Sequence, residues 1–81
     1  MKNNELNKIL SARITSLRKK YNLNMEQLAY RSGISKGGLS ELERNMKEPR
    51  ILTILKICAG LNITLKDFFD FKEIDEYTNK L

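Results

Sequence analysis

The sequence predicts an all-α fold: five helices in one small domain, with a short sixth helix over the C-terminal tail. Three observations carry this. Apolar residues recur at spacings of three and four, and no stretch alternates as a strand would. One helix-start code, a capping residue inside a hydrophobic staple, occurs three times along the chain. Eighty-one residues with one proline and four glycines suit one helical core, with little to interrupt it.

Leu6, Leu10, Ile14, Leu17 and Tyr21 form one apolar stripe and predict a first helix over about 5–21. Lys8, Arg13, Arg18, Lys19 and Lys20 lie between them, and "NLN" at 22–24 breaks the pattern. Asn24 then acts as an N-cap, with Leu23 before it, Leu28 four positions on, and Gln27 placed to close a capping box. Ser35 repeats the device between Ile34 and Leu39, and Thr64 repeats it between Ile63 and Phe68 with Asp67 as the box residue. These caps predict helices over 24–32, 35–44 and 64–70. In "RSGIS", Gly33 suits a left-handed turn that ends one helix about three residues before the next begins. So short a turn forces a steep crossing, a helix-turn-helix unit.

"ILTILKICAGL" at 51–61 is apolar on nearly every side and predicts a central, buried helix that follows Pro49 and ends near Asn62. In the tail, "FKEIDEYTNKL", Phe71, Ile74, Tyr77 and Leu81 fall at spacings of three, three and four, which is the basis for the sixth helix. Residues 1–70 are thus expected to be the helix-turn-helix domain and 71–81 a tail.

The net charge of +5 is uneven. Residues 1–60 carry twelve Lys/Arg against five Asp/Glu, whereas 61–81 carry three against five. A basic body with an acidic tail fits a polyanionic partner as well as an ordinary solvated surface. A single cysteine allows no internal disulfide, and neither a long apolar run nor a signal-type N-terminus is present. The expectation is a cytoplasmic protein that does not enter a membrane. With no histidine, no metal-ligand spacing, no phosphate loop and no nucleophile–base pair, neither an enzyme nor a cofactor or metal is expected. Cys58, within the apolar helix, reads as a small core residue.

The third helix sorts into two faces. Leu39 and Leu42 point inward with Ile34, and Lys36, Ser40 and Arg44 recur at four-residue spacing on the other side, flanked by Gly37 and Glu41. Lys36 can donate to guanine O6/N7 or a phosphate, Ser40 can donate or accept, and Glu41 can accept from cytosine N4. Gly37 and Gly38 fall in the first turn, where the amides lack intrahelical partners. They permit a closer backbone approach to DNA or remove side-chain readout there, and reduced readout is the reading preferred.

"LNMEQLAYRSGISKGGLSELERN", Pro49, "ILTILKICAGLNI" and "LKDFF" together resemble the Cro/phage-repressor (XRE) type of helix-turn-helix regulator over about residues 9–70. Small stand-alone repressors and restriction–modification controller proteins are similar. The resemblance implies a five-helix, lambda-repressor-like domain whose third helix enters the major groove of double-stranded DNA. It further implies a homodimer, acting as a repressor on a pseudo-palindromic operator. Lys36, Gly37, Ser40 and Glu41 are the implied groove-facing set. Arg44, Lys47 and Arg50 would clasp phosphates, and Asn24, Met25 and Ser35 complete the set at the starts of the two helices. Arg18 and Glu43 stand where the family has an ion pair joining the first and third helices. Asn45 replaces a common glycine and tolerates the same left-handed turn.

Two departures bear on DNA contact. Met25 stands where a glutamine is usual, so it packs rather than hydrogen-bonds. Arg50 stands where a small N-cap residue is usual, which weakens the cap and favours a DNA role. Dimerisation is assigned to Phe69, Phe71, Ile74 and Tyr77, which could equally seal the chain's own core. No small-molecule ligand is expected, because the helices leave no residues for a sensing domain. The competing readings are a protein-interaction module such as an antitoxin, and a sequence-tolerant DNA binder.

Overall fold

The stripe through Leu10, Ile14 and Leu17 builds α1 (Asn4–Lys20) and buries all three side chains. The computed structural model describes residues 4–81, and residues 1–3 of the expected first domain lie outside them. Asn22, at φ +58°, then turns the chain in the left-handed region. Tyr21 therefore falls beyond the helix and is exposed, with Lys20 Nζ 5.6 Å from the centre of its ring, instead of continuing the buried stripe.

Helix α2 (Met25–Ser32) starts on a complete capping box. Asn24 Oδ1 accepts from Gln27 N at 2.8 Å, and Gln27 Oε1 accepts from Asn24 N at 2.8 Å. It ends on Gly33 at φ +69°, a conformation that favours a residue without Cβ. Helix α3 (Lys36–Glu43) begins two residues after that turn, and Ser35 Oγ accepts from Gly38 N at 2.9 Å. Asn45, at φ +59°, closes it.

Helix α4 (Ile51–Leu61) is preceded by buried Pro49 and by Arg50, whose side chain makes no capping bond. Asn62 ends it at φ +59°. Helix α5 (Leu65–Phe68) is a single turn on a second capping box, Thr64 with Asp67, and is shorter than the predicted 64–70. Helix α6 (Lys72–Asn79) completes the chain. These are six helices and no strand among the described residues, the sixth a small addition to the five predicted.

The core sits where Leu10, Ile14 and Leu17 meet Leu28, Leu39, Leu42, Ile54, Ile57, Leu61 and Phe68. Fully burying each such side chain is worth about 1.5–3 kcal/mol. Helices α2 and α4 pack tightly together at Gly60. A Cβ there would lie 2.3 Å from Ser32 Oγ and 3.0 Å from the Ser32 backbone nitrogen, so any side chain at this position would force Ser32 to shift.

One expectation is corrected. Helix α4 is not buried on all sides: Ile54, Ile57, Cys58 and Leu61 face inward, but Ile51, Leu52 and Leu55 are exposed, Leu52 at 60%. A domain this small has too few elements to cover a helix all round. The tail residues assigned to dimerisation also contact the chain's own body, the alternative that the sequence left open. Tyr77 is only 8% exposed, Phe69 and Ile74 lie against the core, and Phe71 lies 4.6 Å beneath the Arg13 guanidinium. Arg13 also donates from Nε to Phe68 O and from an Nη to Asp67 O, both at 2.8 Å, and Lys80 pairs with Glu5. The tail thereby joins α6 to α1.

Candidate nucleic-acid interface

Helix α3 owes its orientation to a buried ion pair. Arg18 of α1 donates from Nε to Glu43 Oε2 at 2.8 Å and from an Nη to Glu43 Oε1 at 3.0 Å. The other Nη donates to Leu23 O at 3.0 Å, and Thr15 Oγ1 donates to Glu43 Oε1 at 3.0 Å. The Glu43 side chain is 5% exposed. Its hydrogen bonds with Arg18 raise the guanidinium's pKa above the ordinary value, so Arg18 stays charged. A two-bond fork fixes angle as well as distance, so α1 and α3 are held at one crossing.

Leu39 and Leu42 anchor the inner side of α3, which leaves Lys36, Gly37 and Glu41 exposed and Ser40 partly so. Arg44 is also exposed but stands at the C-cap, just beyond the last full turn. Glu41 is 3.9 Å from Lys47 Nζ, an exposed pair worth little by itself that nonetheless offsets charge on this face.

An open groove of about 480 Å³ borders the start of α3. Ser35 and Gly38 line it from α3, Lys47 and Arg50 from the following loop, and Lys56 from α4. Three cations thus gather around the end of α3 whose amides point outward, an arrangement that attracts phosphate. Glu48 lines the same groove and opposes them. Lys56 was not among the residues selected from the sequence. Its signal was the spacing of Arg50, Thr53 and Lys56, three residues apart along one side of α4.

The remaining candidates have other engagements. The Asn24 and Ser35 side-chain oxygens serve their helix caps, and Met25 is partly buried against the core. Burial pushes the Cys58 thiol up, which keeps it protonated and unreactive. Among the described residues no three His, Cys, Asp or Glu side chains gather as a metal ion would require. No described helix is long and apolar enough to cross a membrane.

Comparison with known proteins agrees with this geometry. A family model described as Helix-turn-helix matches residues 14–68, which includes α2, α3 and their turn. The HTH-type transcriptional regulator SutR of Escherichia coli is 35% identical over 63 residues, covering 78% of this chain and 35% of that protein. The HTH-type transcriptional regulator SinR of Bacillus subtilis is 31% identical over 74 residues, covering 90% of this chain and 67% of that protein. The chain therefore spans about a third of the one and two thirds of the other. Among solved structures, the wild-type restriction-modification controller protein C.Esp1396I superposes with a TM-score of 0.81 at 28% identity, over 91% of this chain and 95% of that one.

Proposed function

The chain belongs to the helix-turn-helix family of DNA-binding transcriptional regulators, and from that premise we propose that it is a sequence-specific repressor acting as a homodimer on a pseudo-palindromic operator. One observation carries the reading: α3, pinned by Arg18 and Glu43, turns its polar side outward beside the cations Lys47, Arg50 and Lys56. In this reading Lys36, Ser40 and Glu41 meet base edges, while Arg44, Lys47, Arg50 and Lys56 contact phosphates. Asn24, Met25 and Ser35 support the two helices instead of touching bases. Repression follows from occupancy of the operator.

The self-association surface in this reading is the exposed side of α4. Ile51, Leu52 and Leu55 lie on one helical face, and a second copy is the partner that two-fold operator symmetry requires. Phe69, Phe71, Ile74 and Tyr77 then stabilise the protomer.

Selection of bound sites from random duplex DNA at near-physiological salt tests the reading. The expected result is a symmetric motif with half-sites one helical turn apart, about 34–36 Å centre to centre. Affinity should fall steeply as salt rises. Leu52→Lys should weaken symmetric sites and give a monomer by sedimentation, with the fold intact. No enriched motif, with binding only at low salt, would instead indicate a sequence-tolerant binder. Sequence preference together with an unchanged dimer in Leu52→Lys would move the self-association surface elsewhere.

A further inference from the structure

Glycine inside a helix costs about 1 kcal/mol relative to alanine, and less in the first turn, so each one calls for a physical reason. Three of the four glycines have one in the fold. Gly33 adopts φ +69°, Gly60 is pressed against Ser32, and a Cβ on Gly38 would lie 3.0 Å from Ser35 Oγ, the hydroxyl that caps α3. Gly37 has none. Its φ is not positive, and a Cβ built on it would meet nothing within 4 Å. It is exposed, directly after Lys36 and one helical turn before Ser40 and Glu41, in the first turn of the outward side of α3.

We propose that Gly37 is a vacant reading position: the fold accepts a side chain there, and its absence leaves one step in each operator half-site without base preference, between the steps read by Lys36 and by Ser40 and Glu41. This rests on the assignment of α3 as the groove-facing helix. A position with no side chain offers a base edge no side-chain donor or acceptor, so the wild-type protein tolerates any base pair at that step. The geometry also makes the vacancy fillable. A longer polar side chain at position 37 projects into open space from a helix whose angle is fixed independently by Arg18 and Glu43. The unread step then becomes a read one without repacking of the core.

The test applies site selection to wild type and Gly37→Gln, with thermal melting of Gly37→Ala as a check on the fold. Gly37→Ala should melt higher, because helix propensity improves and nothing clashes. Gly37→Gln should keep the flanking preferences and add a roughly tenfold preference for adenine at one formerly blank step in each half-site. Three results would overturn the proposal. A lower melting temperature for Gly37→Ala would mean that the fold requires the glycine. Uniform loss of binding by Gly37→Gln at all sites would mean that the bare backbone approaches the DNA closely. An unchanged motif for Gly37→Gln would mean that the position does not face bases. If wild type itself selects no motif, the assignment of α3 fails first, and that outcome is recognisable because it involves no substitution at residue 37.

Discussion

Glu43 concentrates more interactions than any other side chain on α3. It accepts two hydrogen bonds from Arg18 and one from Thr15 while almost wholly buried. Removing one partner of such a pair leaves an uncompensated charge, which is more damaging than the pair is stabilising. Glu43→Ala should therefore destabilise the domain by about 3 kcal/mol, read as a lowered urea midpoint. Arg18→Met combined with Glu43→Leu should recover much of that loss, because no charge is then stranded. The pairing itself was legible in the sequence, but only through family resemblance, since 25 residues separate the partners. Thr15 and the Leu23 carbonyl were not legible, because nothing local marks a residue that reaches a carboxylate across a helix crossing. The glycines divide in the same way. Gly33 was readable from the turn it must make, whereas Gly60 owes its identity to Ser32, far away in the chain.

At the scale of elements, the helix starts were legible because each is written within four residues. All three caps form the bonds their spacing implies, and α5 shows how much a cap can do for a single turn. Asp67 Oδ2 accepts from Thr64 N at 3.1 Å, and that bond, followed by the carboxylate's interaction with the Thr64 side chain, holds the Asp67 carboxyl below the ordinary aspartate range. A carboxylate with a depressed folded-state pKa stabilises above its unfolded value, and that contribution is lost as pH falls through the folded value. Thermal stability should therefore decline between about pH 5 and pH 2, and Asp67→Asn should remove part of that decline. Helix ends were read less completely. Asn45 was identified as a left-handed terminus, while Asn22 and Asn62 were seen only as places where a pattern stopped, though all three share one conformation. The open side of α4 was illegible for a different reason. When nearly every position is apolar, periodicity cannot say which of them the neighbouring helices will cover.

For the whole molecule, composition correctly implied one helical body, and the boundary expected at residue 70 followed the end of the predicted fifth helix and of the family resemblance. The acidic tail continues the structure by returning to α1, through Arg13 to Phe71 and Lys80 to Glu5. That return differs in kind from the contacts among α2, α3 and α4, which follow one another in the chain. The bonds from Arg13 to Asp67 and Phe68 close spans of 54 and 55 residues, and loop closure of that length is unfavourable until the intervening helices have formed. The protein should consequently open in two stages. Amide protons in α6 should exchange with solvent deuterium through a partial opening, while those in the middle of α2 and α4 exchange only when the whole domain unfolds. Arg13→Ala should lower protection in α6 more than in α2, as measured residue by residue in heavy water. Equal losses in both helices would identify a single cooperative unit. A two-stage opening would make the last helix of the chain the part most readily surrendered to proteases, while the helices that carry the reading surface stay folded.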